Sequence, residues 1–135
     1  MHHEIFLSTS KKQELIDITD KINSIIKKSK IKNGICSVFA AHATAAIIIN
    51  ENYDPNICLD LIDALDKLIP RGIWRHDRID GNADSHIKSA MLGPSETIPV
   101  KDGKMDLGRW QALQFCELDG PRQDRKIIVT ILSSD

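Results

Sequence analysis

Three histidines are the residues of this sequence whose types and positions could carry chemistry. His76 and His86 lie in a polar, aspartate-rich stretch, and His42 ends an apolar run further upstream. Neutral imidazole is a preferred zinc ligand, and three protein ligands with one position open to water form the usual catalytic arrangement. The spacing matches no local motif such as HExxH, so only the fold could assemble such a site. The alternatives are hydrogen-bonded structural histidines and a simple surface loop.

Carboxylates and a thiol extend the set of candidate groups. Asp84 and Glu117 could act as metal ligands, as orienting groups or as a general base. Cys116 could also bind a metal, although a cysteine in a strand is commonly buried and inert. The chain has three cysteines and no CxxC pair, so neither a disulfide framework nor a structural zinc finger is expected.

Composition limits the classes of partner. A chain of 135 residues fits one domain, 1–135, with a real core. Its formal net charge of -1 and aromatic content of 4% favour neither phosphate attraction nor base stacking, so no nucleic-acid partner is expected. No segment approaches the roughly 20 apolar residues of a membrane span, and the N-terminus lacks a signal-peptide pattern. We therefore expect no membrane partner and a cytoplasmic location.

Hydrophobic spacing predicts strands with interspersed helices, which is an α+β fold with a mostly antiparallel sheet. The predicted strands cover residues 4–8, 15–18, 35–41, 45–50, 97–100, 105–107, 112–118 and 126–132. The predicted helices begin at Thr19 or Asp20, at the Asp54-Pro55 entrance and at Asp84-Ser85. Asp102-Gly103 predicts the tip of a hairpin between the fifth and sixth strands.

Two helices are predicted to present one packed face each. In the helix over 56–69, apolar residues recur at helical period and place Cys58 in the core. In the short helix that ends at Leu92, we expect Ile87, Ala90 and Met91 to form the packed face, with Lys88 and Ser89 pointing elsewhere. That packing would give His86 a rigid position.

Several short motifs, taken together, resemble a known family over essentially the whole chain. They are His42-Ala-Thr-Ala45, Asn50-Glu-Asn52, Asp54-Pro55, Ser85-His-Ile-Lys-Ser89, Met91-Leu-Gly93 and Leu107-Gly-Arg-Trp-Gln111. Their types and order are similar to those of the YjbQ family, a group also described as secondary thiamine-phosphate synthases. The chain departs from many relatives at Ala46, where they have glycine, and in the loop Arg71-Gly-Ile-Trp74.

The resemblance implies a compact α+β fold, a homotrimer and a polar pocket that often holds a metal. It also implies a weak thiamine-phosphate synthase activity, which joins hydroxymethylpyrimidine diphosphate to a thiazole phosphate and releases pyrophosphate. The metal would be zinc, or magnesium with a diphosphate substrate. On positions that match the family's motifs, we hypothesise a metal site of His42, His76 and His86, a base or orienting group at Glu51 or Glu117, and cationic contacts to phosphate from Lys88 and Arg109.

The sequence is compatible with two other functions. The same pocket would suit a metal-dependent hydrolase acting on another metabolite, and it would equally suit a metal- or metabolite-binding protein without turnover. Lys88 and Arg109 could instead be solvated surface charges. Trp110 fits a core or interface anchor better than a substrate-stacking residue.

Overall fold

The computed structural model describes all 135 residues, and they form two antiparallel sheets and three helices. The strands are β1 (His2–Leu7), β2 (Glu14–Asp17), β3 (Gly34–Ala40), β4 (Ala45–Asn50), β5 (Ser95–Lys101), β6 (Lys104–Met105), β7 (Ala112–Glu117) and β8 (Arg125–Ser133). The helices are α1 (Thr19–Ser29), α2 (Pro55–Leu68) and α3 (Ala83–Leu92), with a short 3-10 helix at Arg75–Arg78. The predicted α+β class is confirmed.

The larger sheet has the strand order β1-β8-β3-β5-β6, and the smaller one has the order β2-β7-β4. Every pair of neighbouring strands is antiparallel. The main core contains apolar side chains from both sheets and from α1, including Val38, Ile47, Phe115 and Ile131. None of the three helices has the length and apolar composition of a membrane-spanning segment.

Helix α1 follows its predicted pattern but not its predicted cap. Ile22 and Ile26, four residues apart, are both fully buried, as expected for one face of a helix. Neither Thr19 nor Asp20 caps the helix, because Ile18 occupies the N-cap position. The carboxylate of Asp17 accepts the Thr19 amide at 2.8 Å instead.

The hairpin between β5 and β6 turns at the predicted residues. Asp102 and Gly103 have φ angles of 53° and 80°. Both angles are positive, as a two-residue turn of the right twist requires.

Helix α2 begins as the sequence predicts. Asp54 is the N-cap residue, its Oδ1 accepts the Asn56 amide at 3.0 Å, and Pro55 is the first helical residue. Its apolar face is less buried than predicted, since Leu65 is the one residue of the helix that is buried. Cys58 is half-buried, with its Sγ 3.7 Å from Oε1 of Gln114, so its placement in the core was wrong.

Helix α3 packs on the opposite face from the predicted one. Lys88 and Ser89 are buried, whereas Ala90 is exposed and Met91 is 70% exposed. Ser89 Oγ donates to the Ala45 carbonyl at the start of β4, and Ser85 Oγ donates to the Leu118 carbonyl just after β7, both at 2.6 Å. Carbonyls at strand ends need donors, which serines supply and apolar side chains cannot.

Candidate functional site

His76 and His86 lie together at a candidate pocket of the molecule. Their rings meet edge to face, with centroids 5.0 Å apart and planes at 85°. They line a cavity of about 610 Å³ together with Ile73, Trp74, Arg75, Ala83 and Ile87. That volume lies in the range of small-molecule sites, and the walls combine apolar groups with a few polar ones.

Asp77 brings the two histidines together by joining the 3-10 helix to the start of α3. Its Oδ2 accepts the Trp74 amide at 3.0 Å and its Oδ1 accepts the Ala83 amide at 3.1 Å. These backbone hydrogen bonds, from Trp74 first and then Ala83, hold the pKa of Asp77 below its usual range. Asp84 and Ser85 were predicted to cap α3, but Asn82 is the N-cap residue and makes no side-chain cap bond. Asp77 therefore supplies the acceptor at this helix start.

The Nε2 atom of His76 is buried and has no hydrogen-bond partner. The nearest acid is Asp80, whose Oδ2 lies 3.7 Å from it. A buried imidazole nitrogen without a partner is unfavourable, and in the neutral ring its lone pair can bind a metal. This atom fits a metal ligand, and His86 provides a second imidazole beside it.

One chain does not complete the three-histidine site. No group of three or more histidine, cysteine, aspartate or glutamate side chains has an arrangement that could hold a metal ion. His42 Nε2 accepts the Lys126 amide at 2.6 Å. Burial first, and then the positive charge of Arg125, lower the pKa of His42, which suits a neutral acceptor. The shared metal site of His42, His76 and His86 stays a prediction.

Glu117 is fully buried in an ion pair with Arg125. Its carboxylate also accepts the Thr9 hydroxyl at 2.6 Å and the backbone amides of Leu118 and Asp119 at 3.0 and 3.1 Å. Burial alone would raise the pKa of Glu117, but the hydrogen bonds from Arg125 and Thr9 outweigh it and hold the pKa below its usual range. The structure therefore places the predicted base in a closed charge network.

Lys88 is also fully buried, so it is not the solvated charge that was the alternative for it. Its ammonium donates to Gln13, Asp66 and Asp84 at 3.0, 2.6 and 2.9 Å. An ammonium has three donors, and all three are used. Burial acts to raise the pKa of Asp66, but the hydrogen bonds from Lys88 and Gln13 outweigh it and lower that pKa.

The remaining predicted residues lie elsewhere on the surface. Glu51 is half-buried just after β4 and makes no side-chain hydrogen bond or ion pair. Trp110 is 55% exposed, so it is not a core residue. Its ring meets Tyr53 edge to face with centroids 5.4 Å apart, and the Arg109 guanidinium carbon lies 5.5 Å from its ring centroid.

Sequence reasoning missed Arg125 and Arg75. Arg125 shares the buried face of β8 with Ile127, Val129 and Ile131, and the two-residue period of a strand would have placed it there. Arg75 lines the histidine cavity, but no periodicity marks it. Its place at the cavity becomes apparent only from the structure, where it begins the short 3-10 helix.

The comparisons with known proteins agree on the family. The family model described as "UPF0047 protein YjbQ-like" matches residues 3–134. A UPF0047 protein of Methanocaldococcus jannaschii is 48% identical over 93% of this chain and 90% of its own length. The Bacillus subtilis UPF0047 protein YugU is 37% identical over 86% of this chain and 88% of its own length.

Solved structures match as closely. A YbjQ-like protein of unknown function from Sulfolobus solfataricus superposes with a TM-score of 0.95 at 41% identity, covering 99% of this chain and 97% of the other. An uncharacterized YjbQ/UPF0047 protein from Clostridium acetobutylicum gives a TM-score of 0.91 at 41% identity, covering 96% and 99%. From the family motifs, the sequence match and the shared fold, we conclude that this chain belongs to the YjbQ (UPF0047) family, whose function is unknown.

Proposed function

We propose that the protein binds a divalent metal at His76 and His86 and acts there on a small phosphorylated metabolite, with thiamine-phosphate synthase chemistry as the reaction. Zinc suits imidazole ligands best, and magnesium suits a diphosphate substrate. The observation that carries the proposal is the buried, unpartnered Nε2 of His76 beside a second imidazole.

The walls of the cavity suit a phosphorylated ring compound. Arg75 lines the cavity, is exposed and has no carboxylate partner, so its guanidinium is free to bind phosphate oxygens in a bidentate manner. Trp74 and Ile87 offer apolar surface to a heterocycle and reduce access of water to it. A bound metal would stabilise the negative charge of the departing pyrophosphate. Arg75 would stabilise that negative charge as well, through its hydrogen bonds.

A neighbouring copy of the chain would complete the site. Two imidazoles fall short of the three protein ligands of a typical catalytic zinc site. Ile87 lines the histidine cavity, and Met91, one turn further along α3, is exposed. A second chain packed on that apolar strip would lie next to His86. We therefore propose that the homotrimer supplies the missing ligands.

A second candidate function is metal-dependent hydrolysis of a different metabolite. Asp80 favours it, because its carboxylate lies 3.7 Å from His76 Nε2 and is exposed. A carboxylate in that position could orient a ligating histidine or accept a proton from an attacking water. Binding of a metal or metabolite without any turnover is the third outcome to be tested.

Metal analysis of protein purified without added metal tests the site. We expect a divalent metal in the wild-type protein and its loss in His86→Ala, because that change removes one of two adjacent ligands. His3→Ala is the matched control, since His3 is exposed on β1, and it should keep the metal. The proposal would be contradicted if the wild-type protein contained no metal and took up no added zinc or magnesium. Unchanged metal uptake by His86→Ala would also contradict it.

Pyrophosphate release tests the reaction. Supplied with hydroxymethylpyrimidine diphosphate and the thiazole phosphate together, the protein should release pyrophosphate, and a chelator should stop the release. Arg75→Gln should reduce kcat/KM roughly tenfold or more, since a charge-assisted hydrogen bond contributes about 1.5–3 kcal/mol. Arg78→Gln, an exposed arginine that does not line the cavity, is the control. Hydrolysis of phosphate esters without coupling would favour the second function.

A further inference from the structure

A second cavity, of about 300 Å³, also borders α3 and has mostly charged walls. It is lined by Lys12, Gln13, Asp66, Pro70, Arg71 and Asp84. At about 30 Å³ per water molecule, it has room for a ligand of roughly ten non-hydrogen atoms. None of these residues lines the histidine cavity.

Asp84 is the unusual residue of this cavity. Its side chain is only 2% exposed, and its Oδ2 accepts the Lys88 ammonium at 2.9 Å. Its other oxygen, Oδ1, is buried and has no hydrogen-bond partner. Buried carboxylate oxygens are normally satisfied, so this oxygen lacks a donor that something outside the chain could supply.

The ammonium that donates to Asp84 has no hydrogen left for its second oxygen. Lys88 spends all three hydrogens on Gln13, Asp66 and Asp84, and the amide nitrogen of Gln13 donates to both oxygens of Asp66 at 3.0 and 3.2 Å. The Lys12 ammonium, which also lines the cavity, is paired with Asp119 alone and keeps hydrogens for a ligand. The inner wall therefore has a free acceptor at Asp84 that the Lys88 ammonium cannot satisfy further.

Asn82, close to Asp84 in sequence but not part of the cavity lining, also has an unpartnered acceptor. Its amide nitrogen donates to Oδ2 of Asp119 at 2.8 Å, on the same carboxylate that pairs with Lys12. This hydrogen bond fixes which way the amide points. The Oδ1 atom of Asn82 is then left buried and unpartnered, two residues from Asp84.

Arg71 provides a positively charged hydrogen-bond donor at the same cavity. It is exposed and forms no ion pair, although its charge contributes to lowering the pKa of Asp66. A free guanidinium at a cavity is a ready partner for a phosphate or carboxylate.

We propose that this cavity binds a small zwitterion, whose ammonium group donates to Asp84 Oδ1 and whose anionic group accepts from Arg71. The proposal does not depend on the metal or on the reaction at the histidine cavity. A phosphate and a carboxylate would both satisfy Arg71, and binding measurements distinguish them.

Calorimetric titration of the full chain, in the presence of a chelator, tests the ligand class. The probes are O-phosphoethanolamine and β-alanine, with ethyl phosphate and propionate as their counterparts without the amino group. We expect at least one amino compound to bind about tenfold more tightly than its counterpart, since the counterpart leaves Asp84 without a donor. Whichever of the two amino compounds binds more tightly shows whether the site prefers a phosphate or a carboxylate. No binding by any probe, or equal binding by both members of each pair, would overturn the proposal.

Two variants locate the binding. Arg71→Gln should weaken the better probe about tenfold, whereas Arg78→Gln, an exposed arginine outside the cavity, should not. Asp84→Asn should abolish binding, because its amide can still accept from Lys88 but then presents N–H where the free oxygen was. Circular dichroism checks the fold of Asp84→Asn. If Asp84→Asn does not fold, the result for Arg71→Gln tests the proposed site. Equal effects of Arg71→Gln and Arg78→Gln would contradict the assignment. His86→Ala should leave this binding unchanged, which separates it from the metal site.

Discussion

At the scale of single residues, some candidate side chains have all their hydrogen-bonding positions filled within the chain, and others do not. Glu117 and Lys88 have every hydrogen-bonding position used by partners inside the chain. His76 and Asp84 instead each keep one buried atom without a partner. A group with unused hydrogen-bonding capacity can accept a ligand without first breaking internal bonds. We therefore expect ligand binding at His76 and Asp84, and a structural role for Glu117.

Glu117→Gln tests that structural role. Removing one charge of a buried pair leaves Arg125 uncompensated, which costs about 3–5 kcal/mol, and urea unfolding at about pH 7 measures it. Glu96→Gln, a half-buried glutamate without an ion pair, should change the free energy of unfolding by no more than about 0.5 kcal/mol. A loss no larger for Glu117→Gln than for this control would contradict the role.

The stability that Glu117 provides should depend on pH in a defined direction. Its pKa in the folded protein is lowered from the ordinary 4.5, so the unfolded chain takes up a proton first as the pH falls. The contribution is complete above the unfolded pKa and is lost as the pH falls through the folded one. The difference in urea midpoint between wild type and Glu117→Gln should therefore narrow as the pH falls from about 5 to about 3. A constant difference across that range would show that the carboxylate's charge is not what stabilises the fold.

At the scale of elements, the start of α2 is a local feature that can be tested alone. Asp54→Ala removes the acceptor for the Asn56 amide, and loss of an N-cap side chain costs about 1 kcal/mol. Asp60→Ala is the matched control, since Asp60 is exposed within the same helix and makes no side-chain hydrogen bond. Urea unfolding should show a lower midpoint for the first variant and little change for the second. Equal midpoints for both variants would mean that the cap does not hold the helix.

The sequence predicts the elements because their signals are local. Strand alternation, the Asp54-Pro55 entrance and the Asp102-Gly103 turn each depend on neighbours in sequence. The orientation of α3 depends on distant groups, because the acceptor of Ser89 lies 44 residues away. Its serines look like part of a solvated face until the strand-end carbonyls that they satisfy are known, and Lys88 does so until its distant partners Gln13 and Asp66 are known.

The candidate site is predictable only in part for the same reason. His76 and His86 belong to one polar stretch, so their proximity could be expected, and Asp77 between them supplies the link. The donor to His42 lies 84 residues away in Lys126, and no local pattern shows it. The unpartnered atoms of His76, Asn82 and Asp84 are defined by what does not reach them, which requires the whole fold.

At the scale of the whole molecule, apolar side chains remain exposed around the histidine cavity. Ile73 and Met91 are 67% and 70% exposed. Ile73 lines that cavity, and Met91 lies one turn beyond Ile87, which also lines it. Exposed apolar surface next to polar groups is typical of a protein–protein contact. We expect the face around Met91 to be where copies of the chain meet in the proposed homotrimer.

Met91→Glu tests that contact and its link to the metal site. A buried charge without a partner opposes association, so light scattering after gel filtration should give three times the chain mass for wild type and a single chain mass for the variant. Phe6→Glu is the control, since Phe6 is exposed on β1 at the edge of the larger sheet, and it should keep the trimer. If a neighbouring chain supplies metal ligands, Met91→Glu should also bind metal more weakly although His76 and His86 are intact. A monomeric variant with full metal affinity would show that one chain suffices for the site, and a trimeric variant would place the interface on another face.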